Sequence, residues 1–243
     1  SALRLIFTGG GPLGEYQLRS LIDTFKCRVA HGGGGTEPGV IVYINLEEHL
    51  NGPSYRLGSA GISSMNSEIR VIDDKGNDVM PGEVGELIGK GETIMKGYWN
   101  RPEETEEVLR DGWFYTGDLV RIDEEMYITY VDRKKDMIKS GGENVFSKEV
   151  EDMLYSHPAV LEAAVIGVPD EKWGEAIKAL IILKEGKKTT EEEIIAHCRG
   201  NMASFKCPKS IEFYKSFPKT GLNKIAKNIL RDTYWKGFEK RVH

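Results

Sequence analysis

The stretch LRLIFTGGGPLGEYQLRSL, from Leu3 to Leu21, predicts the fold class at the start of the chain. Its apolar run is typical of a buried strand, and Glu15–Phe25 carries apolar residues at helical spacing. The following CRVAHGGGG predicts a second strand that ends near His31 and runs into a glycine loop. The order strand, helix, strand indicates a β-α-β unit of an α/β domain.

Gly9, Gly11 and Gly14 also match the G-x-G-x-x-G pattern of dinucleotide-binding proteins. A Rossmann site further needs an acidic residue about 20 positions later, at the end of the second strand. Four more glycines follow that strand here, and Pro12 removes a backbone N–H from the turn. We therefore expect the glycines to let a ligand approach the end of the first strand, and not to bind a dinucleotide.

The pattern changes twice further along the chain. From Gly58 to about Thr129, short strands alternate with turn residues, which predicts a β-rich subdomain. After a boundary near Arg133–Asp136, strands and helices alternate in a compact α+β module. Its helices are predicted to begin at Ser147, at Thr190 and at about Lys224, the second with a capping box of Thr190 and Glu193.

Composition excludes several classes of protein. The net charge of -5 in 243 residues gives no global reason to expect nucleic-acid binding. No apolar run approaches the roughly 18 residues that span a bilayer. The three cysteines follow no disulfide or metal spacing, so we expect them to be reduced packing residues in a cytoplasmic protein.

Two segments in the first half carry side chains suited to nucleotide chemistry. In HGGGGTEPG, backbone N–H groups and a threonine hydroxyl can bind phosphate, and Glu37 can hold Mg²⁺. In GWFYTGDLVRID, Asp118 follows a Thr-Gly turn and can accept both hydroxyls of a ribose. Each segment taken alone also fits an ordinary alternative, a solvent loop and an Asx-type turn.

Two further segments lie in the second half. DRKKDMIKSGGENV joins a basic run to a Gly-Gly turn at the domain boundary. FPKTGLNKIAKNILR places Lys224 where a loop enters the last predicted helix. By themselves, these segments fit a solvated charged face and a surface lysine.

Taken together and in this order, the segments resemble the adenylate-forming family of acyl-CoA synthetases, firefly luciferases and adenylation domains. The resemblance covers essentially the whole chain and is most specific from Pro81 to Glu151. It is carried by the segments LRLIFTGGGPL, GTEPG, PGEVGELIGKGETIMKGYWNRPEET, DGWFYTGDL, VDRKKDMIKSGGENVFSKEVE, VIGVPDEKWGE and PKTGLNKIAKNILR.

The resemblance implies an acid–thiol ligase that is closest to acyl-CoA ligases. Such an enzyme activates a fatty or aryl acid with ATP and Mg²⁺ to an acyl-adenylate, and then transfers the acyl group to coenzyme A. Residues 1–133 would form the C-terminal part of the large AMP-binding domain, with the β-rich subdomain at about 58–130. Residues 134–243 would form the small mobile C-terminal domain.

The resemblance also implies roles for individual residues. Lys224 would be the catalytic lysine, Glu37 the magnesium ligand, and Lys135 the hinge about which the small domain rotates. Gly9, Gly10 and Gly11 would border the acyl pocket. The nucleotide would contact Gly33, Gly34, Thr36, Asp118 and Arg133, and coenzyme A would contact Gly141, Gly142, Trp173 and Lys206.

The chain departs from the family pattern in three ways. Gly33 stands where the family usually has an aromatic residue that stacks on adenine, so we expect Gly33→Tyr to tighten nucleotide binding. Asn223 replaces a glycine, a milder change because asparagine tolerates left-handed backbone. The phosphate-binding loop that precedes Leu3 in the family has no counterpart here, so we expect a C-terminal portion of a longer enzyme, inactive alone.

Two hypotheses therefore remain at this point. The chain is part of an acyl-CoA ligase, whose partners are a carboxylic acid, ATP, coenzyme A and the preceding half of the enzyme, with a homo-oligomer also possible. Alternatively, it is a non-catalytic relative that uses the same fold as a binding or interaction module.

Overall fold

The structure, a computed structural model, describes residues 2–10, 15–44, 58–221 and 223–238. Gly11, Pro12 and Gly14 of the opening glycine segment lie outside the described residues. The chain divides into two compact units, one up to Val131 and one from Asp132 onward. This division lies within two residues of the predicted boundary, and the assignment of the units to the family's large and small domains stays a prediction.

The first unit begins with a four-stranded sheet in the order β1-β2-β3-β4. The parallel pairing of β1 with β2, across α1, confirms the predicted β-α-β unit. The strand β3 then returns antiparallel to β2. These elements are β1 (Leu5–Gly9), α1 (Glu15–Phe25), β2 (Arg28–Gly35), β3 (Gly39–Ile44) and β4 (Ile62–Ser63).

A second sheet follows in the order β5-β6-β8-β7, with β9 paired to β8. It matches the predicted β-rich region, and the hairpin of β5 and β6 encloses the turn DKGND as expected. The elements are β5 (Ser67–Ile72), β6 (Val84–Gly91), α2 (Pro102–Val108), β7 (Leu109–Arg110), β8 (Trp113–Ile122) and β9 (Ile128–Arg133).

The second unit is an α+β module around the sheet β11-β10-β13-β12, to which β14 adds a parallel strand on β13. The predicted capping box of Thr190 and Glu193 is present at the start of α4. The elements are β10 (Ile138–Ser140), β11 (Glu143–Val145), α3 (Ser147–Tyr155), β12 (Val160–Asp170), β13 (Gly174–Leu183), α4 (Glu191–Asn201), β14 (Ser210–Phe213) and α5 (Lys227–Tyr234).

The strand β12 is apolar on both faces because it separates two cores. Ala163 and Val165 pack into a core with α3 and α4, whereas Ala164 and Ile166 pack on the other face against Leu230 of α5. This alternation is the period-2 pattern of a strand, used here on both sides.

Cys27, Cys198 and Cys207 are free and buried. Burial raises the pKa of Cys198 to about 11, as expected of a packing residue. Among the described residues, no helix is both long and apolar enough to cross a bilayer.

Candidate functional site

The glycine run after His31 is part of a strand, which corrects the sequence prediction. The strand β2 continues through Gly32–Gly35, and these glycines pair with Tyr43, Val42, Val40 and Gly39 of β3, with a bulge after Gly33. The expected phosphate-binding loop is therefore the tip of a hairpin. Only Thr36–Pro38 form its turn, which places Thr36 and Glu37 at the end of the two strands.

Gly33 has no room for the aromatic residue that the resemblance led us to expect there. A Cβ on Gly33 would lie 2.6 Å from Val42 Cγ2 and 2.8 Å from Tyr130 Oη. Contacts under 3.0 Å require the neighbours to move, so the phenol end of Tyr130 already fills this space. We therefore expect the side chain of Gly33→Tyr to clash with Val42 and Tyr130, and not to tighten nucleotide binding.

The carboxylate of Glu37 is held by a residue that the sequence reasoning missed. Tyr98 Oη donates a hydrogen bond to Glu37 Oε1 at 3.1 Å, and the backbone N–H of Met95 donates to the Glu37 carbonyl at 2.7 Å. Burial, followed by the interaction with Glu37, raises the pKa of the Tyr98 phenol. Because the phenol stays neutral, it acts as a donor that fixes one oxygen of the carboxylate.

Glu37 is the predicted magnesium ligand, and its surroundings bear on how an ion could be held. Within the part of the chain that the structure describes, no three His, Cys, Asp or Glu side chains could hold a metal ion together. Mg²⁺ commonly binds one or two carboxylates plus substrate phosphates and waters. A lone carboxylate such as that of Glu37 is compatible with this mode, and its role as the magnesium ligand stays a prediction.

Asp118 lies in a bulge of the continuous strand β8. It does not lie in an Asx-type turn between two strands, which was the ordinary alternative for this segment. The register of β8 against β6 shifts between Glu86 and Ile88. Thr116 Oγ1 donates to the Leu87 carbonyl at 2.6 Å and accepts from the Asp118 N–H at 3.0 Å. Bulges re-aim side chains next to functional sites, and this one sets the backbone of Asp118.

The described glycines of the predicted acyl pocket lie where β1 ends. Gly9 pairs with Gly32 of β2, and a Cβ on Gly9 would lie 3.0 Å from the Gly32 carbonyl oxygen. Gly10 follows with a φ of 85° and open space around it. The acyl-pocket role of Gly9, Gly10 and Gly11 stays a prediction, and Gly11 lies outside the described residues.

In the second unit, Lys224 lies in a turn and not at the start of the last helix, which begins three residues later at Lys227. An antiparallel bridge between Lys219 and Ile225 closes the turn. The Thr220 N–H donates to the Lys224 carbonyl at 2.7 Å. Asn223 precedes it with a φ of 59°, in the left-handed region that asparagine tolerates. The result is an exposed lysine on a hydrogen-bonded support.

A buried network that was not predicted ties the helix after Lys224 to the start of the second unit. Lys227 Nζ lies 2.5 Å from Glu151 Oε1 and donates to Ser147 Oγ at 2.8 Å. Ser147 Oγ donates in turn to Asp132 Oδ2 at 2.9 Å, and the Val165 N–H donates to Glu151. The first residue of the unit is thereby joined to α3 and α5.

The predicted hinge lies in a short 3-10 turn formed by Lys134–Asp136. Lys135 is exposed, and its carbonyl accepts a hydrogen bond from the Arg231 guanidinium, which also lies 3.5 Å from Asp136. Arg133 ends β9, and its N–H donates to its neighbour Asp132. The hinge role of Lys135 and the ribose-binding role of Arg133 stay predictions.

The residues predicted to contact coenzyme A fall into two groups. Gly141 packs against Trp173, because a Cβ at residue 141 would lie 2.6 Å from the indole, and Gly142 follows with open space. Lys172 and Lys209 place their ammonium groups 4.7 and 5.8 Å from the indole ring centre. These two cations were missed, since neither stands out in the sequence.

Lys206, by contrast, forms an ion pair with Glu149, with N–O distances of 2.6 and 2.8 Å. Among the described residues, the ammonium groups within 6 Å of the Trp173 ring centre belong to Lys172 and Lys209. The contact of Lys206 with coenzyme A stays a prediction, and such a contact would compete with the Lys206–Glu149 ion pair.

Comparison with known proteins decides the family. The family model described as AMP-binding enzyme matches residues 1–99, and the model of the AMP-binding enzyme C-terminal domain matches residues 149–224. The chain belongs to the AMP-binding enzyme family. In this family member the two matched regions fall in the first and the second unit respectively.

Two similar curated proteins are named as a CoA synthase and a CoA ligase. A feruloyl-CoA synthase from an Amycolatopsis species is 43% identical over 233 residues, which cover 95% of this chain and 46% of that protein. A long-chain-fatty-acid–CoA ligase from Haemophilus influenzae is 40% identical and covers 96% and 40%. The chain thus spans about half the length of the curated relatives it matches.

Solved structures of the same kind confirm the fold. o-Succinylbenzoate CoA synthetase from Bacillus subtilis, in complex with its acyl-adenylate intermediate, superposes with a TM-score of 0.84 at 36% identity, covering 95% of this chain and 46% of that one. ATP-bound MatB from Rhodopseudomonas palustris gives a TM-score of 0.84 at 33% identity, covering 97% and 46%.

Proposed function

We propose that this chain is the C-terminal part of an AMP-forming acyl-CoA ligase that acts on a fatty or aryl acid. The observation that carries the proposal is the placement of Thr36, Glu37 and Asp118 on one unit, in a member of the AMP-binding enzyme family. A hydroxyl, a magnesium-binding carboxylate and a ribose-binding carboxylate are the groups that an adenylate needs. The names of the similar proteins support the choice of acids.

In the first half-reaction, a carboxylate oxygen of the acid attacks the α-phosphorus of ATP, and pyrophosphate leaves. The barrier is the charge that develops on the phosphate and the acid. Thr36 would contact the α-phosphate, and Glu37, fixed by Tyr98, would hold Mg²⁺, which neutralises phosphate charge when bound. Asp118 and Arg133 would hold the ribose. Lys224 would bridge the acid and the nucleotide as a flexible point charge.

In the second half-reaction, the thiol of coenzyme A attacks the acyl carbon, and AMP leaves. Gly141 and Gly142 would border the pantetheine, with the second unit turning about Lys135 between the two steps. The indole of Trp173 with Lys172 and Lys209 offers an aromatic surface beside two positive charges. That combination suits the adenine and phosphates of coenzyme A.

The longer enzyme in this proposal would cover β1. Among the described residues, β1 is the first strand of its sheet and pairs only with β2. Leu5 and Phe7 on this strand are exposed. Parallel strands are normally covered on both faces and paired on both edges. We propose that the preceding half of the enzyme supplies that cover, together with the phosphate loop, and that the 243-residue chain alone does not turn over.

The three free cysteines support a reducing, cytoplasmic location.

The experiment uses the protein encoded by the complete reading frame that contains this chain. Ferulate, other aryl acids and fatty acids of increasing length are each assayed for pyrophosphate release with ATP and Mg²⁺, and for thioester formation by mass spectrometry. The proposal expects AMP, pyrophosphate and a thioester with at least one acid. Nucleotide binding without pyrophosphate release from any acid would favour the alternative, a non-catalytic binding module. The 243-residue chain is assayed in parallel. A rate comparable to that of the full-length protein would contradict the proposal that the chain alone is inactive.

A further inference from the structure

Tyr130 brings an aromatic ring to the place where a side chain of Gly33 would lie. A Cβ on Gly33 would be 2.8 Å from Tyr130 Oη and 3.0 Å from Tyr130 Cε2. The ring reaches this place from β9, almost 100 residues later in the sequence. Since glycine leaves no side chain at Gly33, the space is available to the ring.

Part of Tyr130 belongs to a hydrophobic core. It packs against the cluster that includes Val42, Leu87 and Ile128, on the same face of β9 as Ile128. Ile128 is fully buried, however, whereas Tyr130 keeps part of its surface exposed. Tyr130 therefore contributes to the core while part of its surface lies at the protein surface, where a ligand can reach it.

Two residues proposed to bind the nucleotide connect directly to this position. Gly33 lies on β2, three residues before Thr36. Asp118 lies on β8, and β8 pairs with β9, the strand that carries Tyr130. The ring thus lies in the same unit as both residues, on or beside the strands that hold them.

We propose that Tyr130 supplies the aromatic surface for the adenine base, in place of the ring that is missing at Gly33. The proposal rests on the proposed function, because it assigns one residue within that nucleotide site. A base that stacks on an aromatic side chain is worth about 1–3 kcal/mol, which is about a 5- to 150-fold change in affinity. Tyr130 is then the residue that distinguishes a purine nucleotide from a bare sugar phosphate.

The test measures binding to the full-length protein by calorimetry with two probes, AMP and ribose 5-phosphate. Tyr130→Ile keeps an apolar, β-branched residue in the strand but removes the ring. We expect AMP to bind about 5- to 150-fold more weakly, with ribose 5-phosphate changed by less than twofold. Tyr130→Phe keeps the ring, so its affinity for AMP should stay within about threefold of the unaltered protein.

A second pair of variants approaches the ring from β2 and leaves Tyr130 itself unchanged. Gly33→Ala adds a Cβ that would lie 2.6 Å from Val42 Cγ2 and 2.8 Å from Tyr130 Oη, so the phenol should shift and AMP binding should also weaken. Gly32→Ala is the matched control, because its Cβ would meet Phe7 and Val40 at 3.1 and 3.2 Å and not Tyr130. If Tyr130→Ile fails to fold, unchanged AMP binding in Gly33→Ala still overturns the proposal.

The outcomes test the assignment of Tyr130 and the proposed function separately. Weaker AMP binding in Tyr130→Ile and Gly33→Ala, but not in Gly32→Ala, supports the assignment. If Tyr130→Ile or Gly33→Ala binds AMP as the unaltered protein does, Tyr130 is only a core residue and the proposal is overturned, while the proposed function stands. If AMP and ribose 5-phosphate lose affinity equally, adenine stacking is likewise rejected. Absence of AMP binding by the unaltered protein would reject the proposed function itself.

Discussion

The ammonium group of Lys227 lies 2.5 Å from Oε1 of Glu151, and both side chains are largely buried. This ion pair joins the first turn of α5 to α3, and Ser147 extends it to Asp132 at the start of the second unit. Lys224, the proposed catalytic lysine, lies three residues before Lys227. The ion pair therefore fixes one end of the support on which Lys224 stands.

Breaking this ion pair should destabilise the second unit. We expect Lys227→Met to lower the free energy of unfolding by about 3 kcal/mol, near the lower end for a buried pair that loses one partner. The reason is that the Glu151 carboxylate stays buried without its cation. Urea unfolding at pH 7 measures the loss, and Lys227→Met combined with Glu151→Gln should recover most of it. No recovery in the double variant would show that lost packing, not charge, is the cause.

The same variant should show an altered dependence on pH. Burial raises the pKa of Glu151 above its ordinary value, and Lys227 opposes this effect. Without Lys227 the pKa of Glu151 rises further, so the stability that its neutral form provides is lost as the pH rises through that folded-state pKa. The destabilisation by Lys227→Met should therefore be smaller at pH 5 than at pH 7. An equal loss at both pH values would contradict this account of the pair.

Removing the phenol that fixes Glu37 should weaken the use of magnesium. Tyr98→Phe loses one hydrogen bond to the carboxylate, worth about 1 kcal/mol, so the Mg²⁺ concentration for half-maximal pyrophosphate release should rise about fivefold. The rate at saturating Mg²⁺ should change much less. Trp99→Phe is the control, because Trp99 is adjacent and exposed. An unchanged Mg²⁺ dependence in Tyr98→Phe would show that Glu37 does not need this support, or is not the ligand.

Lys224→Ala should separate the two half-reactions. We expect adenylate formation in the full-length protein to fall at least about 100-fold, as for other lost transition-state contacts. Transfer from a supplied acyl-adenylate to coenzyme A should change by less than about threefold, because the proposal places Lys224 in the first step only. Lys215→Ala changes another exposed lysine of the same unit and should affect neither step. Equal losses in both steps would indicate a structural role for Lys224.

Lys135→Pro should impair thioester formation more than adenylation. Proline fixes φ near -65° and disfavours helical backbone at the preceding residue, so it restricts the 3-10 turn of Lys134–Asp136. If that turn is the hinge, only one of the two orientations stays accessible. Stopped-flow or quenched single-turnover assays measure each half-reaction, with Lys135→Ala as the control. Normal overall turnover of Lys135→Pro would contradict the hinge assignment.

Local signals predicted most of the fold. The capping box of Thr190 and Glu193 predicted the start of α4, and the apolar periodicity of the opening segment predicted the β-α-β unit. Both signals depend on neighbours within a few residues. Tertiary pairing overrode such signals in one case, because β3 pairs with the glycines of Gly32–Gly35 and extends β2 past His31.

The supports of the candidate site could not be predicted from the sequence. Tyr98 reaches Glu37 across 61 residues, and Tyr130 reaches Gly33 from a different strand. Neither tyrosine carries a local signal, since Tyr98 contacts Glu37 from the connection between β6 and α2, and Tyr130 contacts Gly33 from β9. Lys224 was misplaced for a related reason: the bridge between Lys219 and Ile225 delays the helix by three residues.

An isotope label can follow one oxygen atom from the acid to AMP. The full-length protein is supplied with ATP, Mg²⁺, coenzyme A and an acid in which both carboxylate oxygens are ¹⁸O. If a carboxylate oxygen attacks the α-phosphorus and the thiol later breaks the acyl C–O bond, one ¹⁸O must appear in AMP. We expect one AMP that is heavier by one ¹⁸O for each thioester formed, as measured by mass spectrometry. Unlabelled AMP, or ¹⁸O found in inorganic phosphate together with ADP, would contradict it.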